Sequence, residues 1–90
     1  MARDRVIAIE MALDDFDRGE LDVEQLQSKL DAAAATLDNS TPELLQELRS
    51  VDAELESIRF TMLLADQRGQ ALERLAQTRA ILRRALDLIS

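Results

Sequence analysis

Apolar side chains recur every three or four residues along most of this chain, which is the spacing of one face of an α-helix. A first helix is predicted over residues 3–17. Gly19 follows it, at the place where a left-handed residue ends a helix at the lowest cost. The apolar stripe of this helix consists of Val6, Ile9, Leu13 and Phe16.

A second helix is predicted over residues 22–38. Asp22 is the expected N-cap, and Gln25 lies three residues later, as in a capping box. Asn39 can close the helix at its other end. The apolar stripe of this second helix consists of Val23, Leu26, Leu30, Ala33 and Leu37.

A long third helix is predicted over residues 42–67, after the strongest boundary in the chain, Asn39-Ser40-Thr41-Pro42. Thr41 is the expected N-cap. Pro42 is the expected first helical residue, where its missing N–H costs nothing. The stripe that follows consists of Leu48, Val51, Leu55, Ile58, Met62 and Ala65.

The end of the third helix is ambiguous at Arg68-Gly69. Several apolar residues beyond it almost continue the same heptad frame, namely Leu72, Leu75, Leu82, Leu86 and Ile89. A glycine inside a helix costs only about 1 kcal/mol relative to alanine, so one helix of more than forty residues is an alternative. We favour a break at Gly69, because this pair is typical of a helix end, and we predict a fourth helix over residues 70–88.

Four helices with short connections predict a single all-α domain over residues 1–90, folded as a small antiparallel helical bundle. Two Gly and one Pro are too few for the turns of a β fold.

The absence of Cys and His excludes disulfides and the usual zinc, haem and iron–sulfur ligand sets. No apolar run approaches the ~18 residues of a membrane span, and Met1–Arg5 leads into an acidic amphipathic stretch instead of a signal peptide. We expect a cytoplasmic protein that does not bind membranes.

Charge is distributed unevenly along the chain. Residues 1–56 hold fifteen acids and five bases, a balance of −10, whereas residues 57–90 hold three acids and six bases, a balance of +3. One interpretation is that the two halves attract each other when the helices pack antiparallel. A second is that the acidic half steers a basic partner and accelerates its encounter. The two interpretations are compatible.

The densest polar feature is the segment 14–24. A calcium-binding loop starting at Asp14 would place Gly19 correctly, but Phe16 and Arg18 would then occupy positions that need an oxygen ligand, and Gln25 would occupy the position that needs a bidentate Glu. We therefore predict no metal site here and interpret the segment as a helix–helix corner that binds a basic protein. The carboxylates proposed for that contact are Asp14, Asp15, Asp17, Glu20, Asp22 and Glu24.

No set of residues in the chain matches a catalytic motif. Two pairs of acids lie four residues apart on one helix face, Glu10 with Asp14 and Glu43 with Glu47. Nothing near either pair supplies an electrophile, an oxyanion hole or a cofactor loop. We expect no enzymatic activity and no cofactor.

Nucleic acid is a poor candidate ligand, because the chain is acidic and lacks the aromatic residues that stack on bases. The one basic concentration is explained by its place near a helix C-terminus and by pairing with the acidic half. Its members are Arg74, Arg79, Arg83 and Arg84.

Some apolar residues fall outside the main stripes, namely Phe60, Leu63, Leu64, Ile81 and Leu88. In a bundle they would widen the buried faces of their helices. If they are exposed together, they form a patch for a partner or for a second copy of the chain. This leaves a homodimer open.

Several segments spread over nearly the whole chain carry a resemblance to a known group. They are Phe16-Asp17-Arg18-Gly19-Glu20-Leu21 with the capped helix after it, Leu55-Glu56-Ser57-Ile58, Asp66, and the Leu/Arg-rich last helix. With them the chain resembles small all-helical bacterial proteins of immunity-protein-like type. It departs from that group in its short Asp66–Gln70 connection.

The resemblance implies a non-catalytic protein-binding module, an immunity or inhibitor protein that neutralises a basic toxin or nuclease. The alternative is a structural or assembly protein that forms a helical homo-oligomer through its long third helix. A third alternative, an acidic inhibitor that mimics nucleic acid, rests on the same charge argument.

Overall fold

The computed structural model describes residues 2–37 and 42–89, and the described residues contain helices and no strand. The helices are α1 (Ala2–Asp17), α2 (Val23–Thr36), α3 (Pro42–Thr61) and α4 (Leu64–Ile89). Each helix packs against the next, and α4 also packs against α1. The predicted small all-α bundle of four helices is therefore confirmed. Within the two described ranges, no helix combines the length and the apolarity needed to cross a bilayer.

The core is aliphatic around a single aromatic ring, that of Phe16, which is fully buried. All four residues of the predicted α1 stripe belong to this core. In α2 the buried members are Val23, Leu26 and Leu30, while Ala33 and Leu37 are half-buried against it. The periodicity of the first two helices therefore predicted their buried faces.

The α1–α2 corner forms as its residues predict. Gly19 has φ +82, its N–H donates to the Phe16 carbonyl at 3.1 Å, and the N–H of Glu20 donates to the Asp15 carbonyl at 2.9 Å. This is the Schellman arrangement that ends a helix. Asp22 then caps α2, with its carboxylate accepting from the Gln25 N–H at 2.7 Å and its own N–H donating to the Gln25 side chain at 2.9 Å.

The other predicted boundary of α2 is partly outside the described residues. The helix ends at Thr36, two residues before its predicted end, and Leu37 is already extended, with φ −72 and ψ 140. The proposed roles of Asn39 and Thr41 lie outside the residues that the structure describes. Pro42 is the first residue of α3, as predicted.

The predicted break at Gly69 is wrong. The long third helix ends at Thr61 after 20 residues, and α4 begins at Leu64 and spans 26, so it is the longer of the two. The chain turns at Met62-Leu63, and Gly69 lies inside α4. The alternative of one continuous helix is wrong as well.

The two stripes explain why the chain breaks before Gly69. Buried residues of α3 include Leu44, Leu48, Val51, Leu55 and Ile58. Those of α4 are Ala71, Leu75, Thr78, Leu82 and Ala85. Continued at the same spacing, the α3 stripe would reach positions 72, 76, 79, 83 and 86, each one residue later than the α4 stripe. One residue is about 100° around a helix, so a single straight helix could not bury both stripes.

Gln67 stabilises the turn that replaces the predicted one. Its side-chain amide donates to the carbonyls of Met62 at 3.1 Å and Arg59 at 3.4 Å. These carbonyls belong to the end of α3, where helical partners are missing. The Leu63 carbonyl accepts from the N–H groups of Asp66 at 2.9 Å and Gln67 at 3.2 Å, which starts α4. The turn therefore needs no glycine.

Replacing Gly69 by Ala is expected to raise the free energy of unfolding by about 1 kcal/mol, because alanine is the better helix former. A Cβ atom at this position would meet no atom within 4 Å. Gly19→Ala is the matched control. It should destabilise by about 1–2 kcal/mol, because a Cβ is strained in the left-handed region. Urea denaturation measures both, and a less stable Gly69→Ala variant would contradict the position of Gly69 inside α4.

Candidate interaction surface

The α1–α2 corner and the α3–α4 turn lie at the same end of the bundle, which we call the loop end (residues 14–24 and 59–68). Arg68 of α4 connects them. Its guanidinium donates to the Phe16 carbonyl and, at 3.4 Å, to the Leu21 carbonyl. It also lies 4.6 Å from the centre of the Phe16 ring, within the range of a cation–π contact. One side chain therefore ties the start of α4 to both sides of the corner.

The structure brings the six proposed carboxylates to the loop end and gives each an intramolecular partner. Arg79 of α4 bonds both Asp14 and Asp17 at 2.9 Å. Arg18 bonds Asp15 and, at 3.3 Å, Glu20.

The last two of the six carboxylates are engaged by α3 and by the cap of α2. Glu24 lies 3.5 Å from Arg59 of α3. Asp22 is held in the capping box. The corner is therefore a network of exposed ion pairs and not a bare acidic surface.

These ion pairs match the first interpretation of the charge asymmetry, in which the two halves attract each other. Four arginines from residues 57–90 each bond an acid from residues 1–56, namely Arg59, Arg74, Arg79 and Arg84. Most of these contacts are exposed, where a single pair contributes about 0–1 kcal/mol. The charge pattern thus supports the packing of α3 and α4 on the rest of the bundle.

Three apolar side chains project from the α3–α4 turn, and we call them the apolar corner. Phe60 and Leu63 are each 76% exposed and Leu64 is 82% exposed. Phe60 points away from the buried face of α3, and Leu63 and Leu64 lie where the chain reverses. The guanidinium of Arg59 lies 5.7 Å from the centre of the Phe60 ring.

The other two off-stripe residues behave differently. Ile81 packs partly against the core, as a widened helix face requires. Leu88 is exposed, but it lies near the far end of α4. The exposed residues of the apolar corner are thus close together in the chain, at the α3–α4 turn, whereas Leu88 lies elsewhere.

A groove of about 390 Å³ joins the apolar corner to the carboxylates. Phe16 and Val23 form its apolar base, and Leu64 contributes one wall. The polar residues that line it are Asp22, Glu24, Arg59, Gln67 and Arg68. Apolar area, anionic groups and a concave surface therefore meet at one end of the bundle.

A second polar cluster, which the sequence did not predict, lies between α3 and α4. Glu47 is 6% exposed and accepts two hydrogen bonds from the guanidinium of Arg74, at 2.7 and 3.1 Å. The hydroxyl of Thr78, which is fully buried, donates to the same carboxylate at 2.7 Å. Arg74 also bonds Glu54.

Opposing effects act on the pKa of Glu47. Burial tends to raise this pKa, but the hydrogen bonds from Arg74 and Thr78 and the positive charge of Arg74 together hold it below its usual value. The carboxylate is charged and its hydrogen bonds are satisfied. Glu43 bonds Arg84 at 3.3 Å. Glu43 and Glu47, which lie four residues apart on one helix face, therefore have separate arginine partners, and we interpret Glu47 as a structural residue.

In the part of the chain that the structure describes, no three acids come close enough together to hold a metal ion. The segment 14–24, tested above as a calcium loop, instead forms the Schellman turn and the capping box.

Comparisons with known proteins identify no relative of this chain. No family model matches the sequence, and neither curated proteins nor solved structures give a match. Function must therefore be argued from the surface that these residues build.

Proposed function

We propose that this chain is a non-catalytic protein-binding module that binds its partner through the loop end. The observation that carries the proposal is the exposure of three large apolar residues, Phe60, Leu63 and Leu64, at one turn of the chain. Contiguous apolar patches on a protein of this kind mark contact sites for other proteins. The nearby groove and carboxylates supply the shape and the polar rim that such contacts need.

Burial of the apolar corner supplies the binding energy. Burying a Phe or Leu side chain contributes about 1.5–3 kcal/mol relative to leaving it exposed, before the costs of association are subtracted. Phe60 is the exposed one of the two aromatic residues in the chain. Aromatic side chains dominate many protein contacts, so we assign Phe60 the central position in the interface.

Charge favours a basic partner. The chain carries a net charge of −7, and the loop end holds all six proposed carboxylates. A carboxylate has several acceptor positions, so one that already bonds an arginine can accept a further bond from a partner's cation. An immunity or inhibitor protein directed against a basic toxin or nuclease is the form of binding module that these features favour.

The rival proposal, assembly through a long third helix, loses its main support because α3 ends at Thr61. A homo-oligomer formed through the apolar corner is distinguished from a heteromeric complex by crosslinking.

Replacing Phe60, Leu63 and Leu64 together by Ser is expected to weaken partner binding, because these side chains would no longer bury apolar area in the contact. Each loss of about 1.4 kcal/mol of binding free energy lowers the affinity about tenfold. The partner is first identified by photo-crosslinking from position 63 and then purified. Calorimetry measures the affinity of each variant for it. Unchanged affinity of the triple variant would defeat the proposal.

The matched control replaces Met11 and Leu88, the other large apolar residues that are exposed in the described part of the chain, by Ser. It should bind as the unmodified chain does. Stopped-flow kinetics at rising ionic strength should show that association slows much more than dissociation changes if the partner is basic. Crosslinking of the chain only to itself, with dimerisation lost in the triple variant, would replace the heteromeric proposal by the homo-oligomer.

A further inference from the structure

Two overlapping stripes of side chains run along α4, and Leu75 and Leu82 belong to both. At 3.6 residues per turn, the centres of the two stripes are about 60° apart around the helix axis. The first stripe, which the fold buries, is completed by two alanines and a threonine, Ala71, Thr78 and Ala85. The second stripe is completed by two leucines and two arginines, Arg68, Leu72, Arg79 and Leu86.

Side-chain size does not explain why α4 buries the first stripe. Leucine gains much more from burial than alanine, because it removes more apolar area from water. Leu72 and Leu86 nevertheless stay only half-buried at the edge of the core. Turning α4 by about 60° about its axis would bury both leucines and expose Ala85 and the half-buried Ile81. Apolar area alone therefore does not select the rotation that the fold adopts.

The two arginines of the second stripe keep this stripe out of the core. Arg68 donates to the Phe16 carbonyl of α1, and Arg79 bonds Asp14 and Asp17 of the same helix at 2.9 Å. Turning α4 would carry both guanidinium groups toward the core and away from these partners. A charge that is buried without a partner is very costly, so the native chain does not adopt the turned position.

Arg74 holds the first stripe in place from the opposite flank of α4. Its guanidinium donates two hydrogen bonds to the buried carboxylate of Glu47 on α3, and Thr78 donates a third. Arg74 and Arg79 are five residues apart, which places them about 140° apart around the helix. A turn that buries the two leucines would carry Arg74 toward solvent. Glu47, which is 6% exposed, would then remain buried without its cation.

We infer that polar contacts, and not apolar packing, set the rotation of α4. Arg68 and Arg79 exclude the second stripe from the core, and Glu47 retains the first stripe through Arg74 and Thr78. When both effects are removed, α4 turns by about 60° and buries the two leucines of the second stripe. When only one is removed, the other keeps α4 in its native position. The inference does not depend on the function proposed for the loop end.

Cysteine labelling tests the inference, because the chain has no cysteine of its own. The reporter is Ala85→Cys, at a position that is 7% exposed in the fold and would face solvent after the turn. The background is the Arg68→Leu, Arg79→Leu double variant, in which the second stripe is wholly apolar. We expect the reporter to react slowly with iodoacetamide in this background. Adding Glu47→Leu should raise the labelling rate at least about tenfold, since a buried thiol reacts only when its site opens.

Two controls accompany the reporter. Glu43→Leu, added to the background in place of Glu47→Leu, removes an acid of the same helix whose pair with Arg84 is exposed, and labelling should stay slow. Val51→Cys, at a fully buried position of α3, replaces the reporter in a second set of variants. It should stay slow throughout, because either stripe of α4 covers α3, and fast labelling there would indicate unfolding.

Two results would overturn the inference. Slow labelling of the reporter in a folded variant that carries Glu47→Leu would show that packing alone sets the rotation. Fast labelling in the double variant without a change at Glu47 would show that this carboxylate does not hold α4. If the Glu47→Leu variant unfolds, Glu47→Met takes its place, because a methionine adapts to the same space more easily, and the same two results decide.

Discussion

Replacing Glu47 by Ala is expected to lower the free energy of unfolding by about 3 kcal/mol, near the lower end of the range for breaking a buried ion pair. The variant leaves Arg74, which is only 14% exposed, with the exposed Glu54 as its one carboxylate partner. It also leaves the buried hydroxyl of Thr78 without its acceptor. A domain of this length is typically stable by about 5–13 kcal/mol, so the loss should be evident in urea denaturation.

Two controls separate the buried cluster from an ordinary ion pair. Glu43→Ala removes the pair with Arg84, in which both side chains are 63% exposed, and should cost at most about 1 kcal/mol. Glu47→Leu combined with Arg74→Met and Thr78→Val should recover most of the lost stability, because apolar replacements of a whole buried polar group are often neutral or stabilising. Equal effects of Glu43→Ala and Glu47→Ala would show that Glu47 behaves as a surface residue.

The lowered pKa of Glu47 gives the same cluster a pH dependence. A carboxyl group whose pKa is lower in the folded state binds fewer protons there than in the unfolded chain. Its stabilisation is therefore complete above the unfolded pKa of about 4.3 and is lost as the pH falls through the folded value. The triple apolar variant should lack this part of the acid-induced loss of stability.

The helix ends that depend on neighbouring residues could be predicted from the sequence. Gly19 and the Asp22–Gln25 pair determine the α1–α2 corner through contacts within a few residues. The α3–α4 turn depends instead on the phase of two stripes and on the side chain of Gln67. Leu72 and Leu86, which are only half-buried, continue the heptad spacing of the α3 stripe beyond Gly69, so the spacing alone indicates a single stripe.

The candidate site shows the same limit. The six carboxylates are close in sequence, so their clustering at one corner was predictable. Their partners were less so, because Arg79 meets Asp14 and Asp17 only after α4 has packed on α1. Thr78 occupies a position of the α4 stripe and Glu47 lies beside the α3 stripe. Polar residues at such positions are buried only when a partner such as Arg74 lies opposite, and sequence spacing does not show this.

The two phenylalanines should respond in opposite ways to replacement by alanine. Phe16 is fully buried and lies under the guanidinium of Arg68, so Phe16→Ala is expected to destabilise the fold by about 3–5 kcal/mol. Phe60 is 76% exposed, and Phe60→Ala should change stability by no more than about 0.5 kcal/mol. Urea denaturation of both variants provides the comparison. If Phe16→Ala does not fold, Phe16→Leu, which keeps more of the buried volume, provides the measurable loss.

This contrast also bears on function. A side chain that adds nothing to stability and exposes an aromatic ring to water has no structural role in the isolated chain. If Phe60→Ala retains full stability and loses partner binding, the apolar corner is a contact surface. If instead Phe60→Ala destabilises the fold as much as Phe16→Ala does, the ring is buried in the folded protein. The binding proposal would then lose the exposure on which it rests.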